Sequence, residues 1–157
     1  MFRAILRHPD LWLITVRNDT RLSRMLHVLI HMARHELPAT SDTIARMLGT
    51  NPVVVRRTMG LLKKQGYVSS EKGHRGGWML ARPLADITLL DIHNALGSSS
   101  LFAIGLSTDH PQCLVEQSVN DALTGAFEAA QALLLERLGA ITLERLANDF
   151  ERRYQSL

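Results

Sequence analysis

Cysteine is almost missing: the 157 residues contain one, Cys113. A single thiol closes no intrachain disulfide and by itself builds no zinc site. Long apolar runs are missing as well. No stretch approaches the ~18–20 residues that span a bilayer. The early run from Leu11 to Val16 is too short for a secretory core, and no small-residue cleavage site follows it. Internal repeats and low-complexity segments are absent, as are a phosphate-binding loop, a dinucleotide fingerprint and a paired-His zinc helix with its Glu. The one nucleophile–base pair close in sequence, Cys113 with His110, straddles a proline and makes no triad. No enzyme and no membrane association are expected. What is present is apolar material: 46% hydrophobic against 21% charged residues supports a packed core in one domain of ordinary size, or in a small domain with an appendage. A soluble cytoplasmic protein is the expectation.

The formal charge of +3 conceals a division. Residues 17–82 carry 12 Lys and Arg against 4 Asp and Glu, a net of +8; residues 83–157 carry 4 against 10, a net of −6. A basic half beside an acidic half suggests one module that meets a polyanion and another with a different task. The basic half is where nucleic-acid contacts are sought.

Within that half, residues 21–35 predict a helix with Leu22, Leu26, Leu29 and Ile30 at three- and four-residue spacings, ended by Pro38. Thr40 or Ser41 can cap a short second helix, Asp42 to Leu48, with Ile44, Met47 and Leu48 as its apolar positions. Gly49-Thr50 makes a turn. Asn51-Pro52 then gives a strong start signal, Asn as cap and Pro at the first helical position, for a helix running to about Gln65 and stopped by Gly66. Its buried stripe is expected at Val55, Met59 and Leu62, leaving Val54, Arg56, Arg57, Lys63 and Lys64 outside. Tyr67–Ser70 and Trp78–Ala81 read as strands joined by a Gly-rich tip that bears Lys72, His74 and Arg75. Two short helices around a tight turn, followed by a β-hairpin, predict a winged helix-turn-helix within a mainly α chain.

Pro83 to Asp86 is a connection, Thr88 to Ala95 a short helix, and Gly97-Ser98-Ser99-Ser100 closes the basic module. Residues 101–114 lack periodicity. From Val115 to Leu138 the pattern is helical again, with a stripe of Val119, Leu123, Ala126, Phe127, Ala130, Leu133 and Leu134. A rod of that length outruns the module beside it, so its stripe calls for a second copy of itself. Gly139 stops this helix, and Thr142 caps a last one to about Tyr154. The expected organisation is an N-terminal extension over 1–16, a winged helix-turn-helix over 17–97, a loop with a candidate sensor over 98–114, and a dimerisation helix with a C-terminal helix over 115–157.

These segments resemble the Rrf2 family of bacterial winged-helix transcription regulators. The resemblance rests on Asn51-Pro-Val-Val-Val-Arg-Arg, Leu61-Leu-Lys-Lys-Gln-Gly-Tyr-Val, the wing Gly73-His-Arg-Gly-Gly-Trp, and Ile87-Thr-Leu-Leu-Asp-Ile, in that order, and covers about residues 17 to 150. It implies a homodimer whose long helices cross and whose two winged modules each take one half-site of DNA. The first 16 residues have no counterpart in the family pattern; Val16 is the expected start, read from a non-Met codon, and the residues before it are expected to lie outside the native protein. Some family members hold an iron–sulfur cluster with three cysteines in the loop before the long helix. Here only Cys113 stands there, at the place of the last ligand, while a cluster needs about four protein ligands. The chain is similar to the cluster-free branch, and no cofactor is expected.

The recognition helix is expected to enter the major groove by its N-terminal turn, with Asn51, Val53, Val54, Arg56 and Arg57 at base edges or phosphates. Thr40 and Ser41 meet phosphate at the preceding helix's N-terminus. Lys63 and Lys64 hold phosphate or complement the helix dipole, and His74 and Arg75 bring the wing tip to the minor groove. Gly73, Gly76 and Gly77 serve turn geometry, with a close backbone approach to phosphate as the alternative. For Cys113, with His110 three residues away, two readings stand: a thiolate sensor at a helix N-terminus, or a small packed residue. His27, His31 and His35 share one helix face; polar packing is favoured there over metal binding. The expected function is a homodimeric repressor on a dyad-symmetric operator of double-stranded DNA. The alternative is a winged-helix module that binds proteins instead.

Overall fold

The structure, a computed structural model, describes residues 19–35, 37–73, 76–97 and 105–156. Helix α1 (Arg21–Ala33) leads into α2 (Ser41–Leu48) and α3 (Pro52–Lys64), then strands β1 (Val68–Ser70) and β2 (Trp78–Leu80). A 3-10 turn (Leu84–Asp86) precedes α4 (Leu89–Ala95), the long α5 (Leu114–Gly139) and α6 (Leu143–Gln155). The described residues thus form six α-helices and a two-stranded antiparallel sheet.

Local chemistry sets the helix starts. Thr40, the residue before α2, accepts from the Thr43 N–H at 3.1 Å, which settles the cap between Thr40 and Ser41. Asn51 caps α3 by accepting from Val53 N–H at 2.7 Å, with Pro52 at the first helical position. Gly49, at φ 58, takes the left-handed conformation that lets α2 turn into α3. Helix α1 ends at Ala33, two residues short of the expected His35. Its last turn tightens, with Arg34 N–H donating to His31 O and His35 N–H to Met32 O.

One core joins these elements. Val55, Met59 and Leu62 of α3 are buried as their spacing predicts, against Ile44, Ala45, Val68, Ile87, Ile92 and Leu96. In α1 the stripe is rotated from the expected one. Met25, Val28, Leu29 and Met32 are buried, while Leu22 and Leu26 pack at the margin of the core. Both stripes obey the three-four rule, so spacing alone did not separate them. In α2, Ala45 joins Ile44 inside, and Met47, expected inside, is exposed.

The C-terminal helix returns to this core. Leu89 N–H donates to Ile141 O at 3.0 Å and Leu143 N–H to Ile87 O at 2.8 Å, an antiparallel bridge between Thr88 and Thr142. Each threonine is also an N-cap, of α4 and α6 respectively. Leu143 is fully buried, and α6 reaches α1 through Arg34, whose guanidinium meets Glu151 at 3.1 Å and lies 4.4 Å above the Phe150 ring. Helix α5 is different. Its 26 residues make a rod of about 39 Å, and none of them is buried.

Candidate nucleic-acid interface

The N-terminal half of α3 presents the expected residues outward. Val53 and Val54 are 65% and 53% exposed, and Arg56 and Arg57 are exposed beside them. Burying Val55 and Met59 fixes this orientation, because residues on the far side of a helix from its core stripe face away. The Asn51 side-chain oxygen serves the helix cap, leaving its NH2 group as the free donor. Arg56 donates from Nε to Pro52 O at 3.3 Å, which steadies the guanidinium along the helix and leaves its terminal nitrogens available. At the other end, Lys63 Nζ donates to Ser70 Oγ at 2.6 Å, and Lys64 is exposed.

Among the described residues, four ion pairs form, at Arg21–Asp19, Arg34–Glu151, Arg152–Asp149 and Arg153–Asp149. None involves Arg46, Arg56, Arg57, Lys63 or Lys64. Among the described residues these cations of the helix-turn-helix have no carboxylate partners, which fits the electrostatic footprint of a polyanion-binding face.

A cleft of about 300 Å³ opens between the start of α2, α3 and the wing. It brings Thr40, Ser41 and Arg56 together with Gly73, Gly76 and Gly77, and also with the carboxylates Asp42 and Glu71. Gly73 has φ 110, a turn conformation that favours glycine. Gly77 serves a different purpose: a Cβ there would lie 2.8 Å from Ala39 O. The close backbone approach at this glycine is thus to Ala39 of the chain itself. His74 and Arg75, placed at the wing tip by sequence, lie outside the described residues. Two features at this face carried no sequence signal: the hydrogen bond from Trp78 Nε1 to Ser41 Oγ at 3.0 Å, and that from Arg24 to Leu48 O across the end of α2. Both join residues far apart in the chain, where periodicity is silent.

Cys113 is the residue before α5. Its thiol is exposed and makes no cap hydrogen bond, so packing within its own chain is not its arrangement. His110 lies in the same turn, Cys113 N–H donating to its carbonyl at 2.8 Å. The loop is stitched back onto α5: His110 N–H donates to the Glu116 carboxylate at 3.1 Å, Gln117 Nε2 to Pro111 O at 2.8 Å, and Asn120 Nδ2 to Ser107 O at 2.8 Å. On α1, the rings of His27 and His31 stand 4.6 Å apart. Partial burial, followed by the charges of His27, His35 and Arg34, pushes the His31 imidazole below its ordinary pKa. Among the described residues, no group of three or more His, Cys, Asp or Glu is placed to hold a metal ion. No described helix is long and apolar enough to cross a membrane.

Comparison with known proteins agrees with this geometry. The model of the Rrf2 family, described as an iron-dependent transcriptional regulator, matches residues 18–149. The chain is 34% identical over 131 residues to YwnA of Bacillus subtilis (strain 168), described as an HTH-type transcriptional regulator, covering 83% of this chain and 96% of that one. Among solved structures, T. potens IscR aligns with a TM-score of 0.64 at 25% identity, over 85% of this chain and 88% of that one. A transcriptional-regulator structure from Lactobacillus plantarum has a TM-score of 0.70 over 87% and 97%, and at 23% identity that likeness speaks for the fold. An outward basic recognition helix on a winged helix-turn-helix, together with these relatives, makes the chain a member of the Rrf2 family and a DNA-binding transcriptional regulator.

Proposed function

We propose that this regulator is a homodimeric repressor that grips a dyad-symmetric operator and blocks a promoter. In this reading Asn51, Val53, Val54, Arg56 and Arg57 enter the major groove, and Thr40, Ser41, Lys63 and Lys64 hold the flanking backbone. His74 and Arg75 take the wing into the minor groove. The observation that carries it is the exposed α3 face, whose cations have no carboxylate partners among the described residues. Support for the dimer comes from α5: Leu114, Val115, Val119 and Leu133 are all at least half exposed within one chain, and such a surface is stable in water when covered. A domain division into the DNA-binding module over 17–97, the loop over 98–114 and the dimerisation segment over 115–157 belongs to the same proposal.

The residues present do not fit an iron–sulfur cluster. The sequence offers one cysteine where a cluster takes about four ligands, and among the described residues no group of three or more His, Cys, Asp or Glu is placed to hold a metal ion. We place the chain in the cluster-free branch, with signalling through Cys113 and neighbouring His110. Oxidation or modification of an exposed thiol at the first turn of α5 displaces the loop stitched to that helix, and a small rotation of the modules loses the half-site register.

Fluorescence anisotropy on the DNA upstream of the protein's own gene tests this, with reduced protein, with protein treated by mild peroxide or diamide, and with Cys113→Ala. Tight binding by the reduced form, weakened by oxidant in the wild type alone, is the expected result. Equal binding in every state removes Cys113 from the mechanism and leaves the DNA-binding dimer. A steep salt dependence separates DNA binding from a purely protein-binding winged helix.

A further inference from the structure

One residue ties the wing to the start of α2. Trp78, the first residue of β2, exchanges backbone hydrogen bonds with Ala39, each N–H donating to the other's carbonyl at 2.9 Å. This adds a third extended segment beside the hairpin, just before the cap of α2. Gly77 permits it, because any side chain there would collide with the Ala39 carbonyl. The indole then reaches over the junction, Nε1–H donating to Ser41 Oγ at 3.0 Å.

That bond has a consequence for Ser41. An indole N–H donates and never accepts, so the Ser41 hydroxyl receives a hydrogen from Trp78 and keeps its own for another partner. A hydroxyl that already accepts one hydrogen bond is polarised toward donating a second. Ser41 lines the cleft with Arg56, where Asp42 and Glu71 also stand and would repel an anion. The hold on a phosphate there depends on the donors that share the cleft.

We infer that Trp78 is a positioning residue of the DNA interface: it locks the wing against the helix-turn-helix and fixes the Ser41 hydroxyl as a donor to a backbone phosphate oxygen. The inference rests on the reading that this cleft meets the DNA backbone. Trp78 does not touch DNA in this scheme; it acts through Ser41.

The test uses the full chain and a fluorescein-labelled mixed-sequence duplex, since a phosphate contact is independent of sequence. Wild type, Trp78→Phe, Ser41→Ala and the double variant are titrated by anisotropy across a range of KCl. Loss of one such hydrogen bond weakens binding by about five- to tenfold in each single variant. The double variant binds no more weakly than Ser41→Ala, because Trp78 acts through the Ser41 hydroxyl that Ser41→Ala already removes. The slope of log affinity against log salt stays that of the wild type, since no cation has been removed. Ser41→Thr, which keeps a hydroxyl, restores binding and does not depend on the wing folding around a new ring. Trp78→Phe binding like wild type, or losses that multiply in the double variant, would overturn the inference while leaving the cleft's role intact. A flattened salt slope in Trp78→Phe also refutes it, because that marks general collapse of the interface. Ser41→Ala binding like wild type refutes the cleft reading itself.

Discussion

Arg56 and Arg57 are neighbours in sequence but differ in what they are free to do. Arg56 is braced on Pro52 O and borders the cleft, which suits a phosphate; Arg57 stands exposed on α3 away from that cleft lining, which suits a base edge. Arg57→Ala should cost about 1–3 kcal/mol of operator binding and relax specificity at one position. Arg56→Ala should weaken binding evenly across sequences and lower the salt slope by about one. Anisotropy on operator and mixed-sequence duplexes at matched salt separates the two, and the opposite pattern would exchange the roles. At this scale the sequence was informative where a residue's task is local. Asn51 and Gly49 announced their capping and turn duties by residue type alone, and Thr40 was one of two candidates with Ser41 for the cap of α2. It was silent on Ser41 and Trp78, 37 residues apart, whose meeting depends on how the hairpin folds back.

Helix α4 shows an element held by its first turn. Thr88 Oγ1 accepts from Asp91 N–H at 3.1 Å, and the Asp91 carboxylate accepts from Thr88 N–H at 2.7 Å and from Thr88 Oγ1 at 2.6 Å, a reciprocal capping box. Tyr67 OH adds a fourth bond at 3.2 Å. Partial burial pushes the Asp91 carboxyl up, yet the bonds from Thr88 and Tyr67, with the Arg82 charge, outweigh it and hold the group below its ordinary value. A carboxyl lowered in the folded state stabilises fully above its unfolded value of about 4, and that contribution is lost as pH falls through the folded value. Asp91→Ala should therefore cost about 1–2 kcal/mol at neutral pH. The gap in thermal midpoint from wild type should narrow steadily on acidification below about pH 4. A gap independent of pH would assign the loss to packing. The sequence placed a short helix from Thr88 to Ala95, and the structure makes Thr88 its cap; the Tyr67 bond carried no sequence signal, because it joins α4 to the start of β1. The same limit explains α1, where two overlapping apolar stripes were available and only contact with α4, α6 and β2 chose Met25, Val28, Leu29 and Met32.

At the scale of the whole molecule, the chain divides its apolar surface between two uses. The winged module and α6 share one core, sealed by the Thr88–Thr142 bridge, whereas α5 contributes no buried residue to it. Leu123→Asp places a charge on the expected seam of α5. Sedimentation equilibrium should show a dimer for the wild type and a monomer for this variant. Losing the second half-site should reduce operator affinity by about a hundredfold or more. A wild-type monomer, or a variant that stays dimeric, would remove α5 as the dimer surface. Because the winged core does not use Leu123, the variant's thermal unfolding should still be cooperative.

Periodicity, caps and turn residues are properties of neighbours along the chain. They sufficed for the order of elements, the buried stripe of α3, the basic outer face and the mainly α winged architecture. The tertiary structure decided which of two stripes α1 buries, that α6 returns to the winged core, and that Trp78 pins the wing on Ser41. Each of these is a pairing between distant segments, chosen by the shape and hydrogen-bonding needs of the whole core. A one-dimensional pattern holds the candidates for such pairings but not the choice among them.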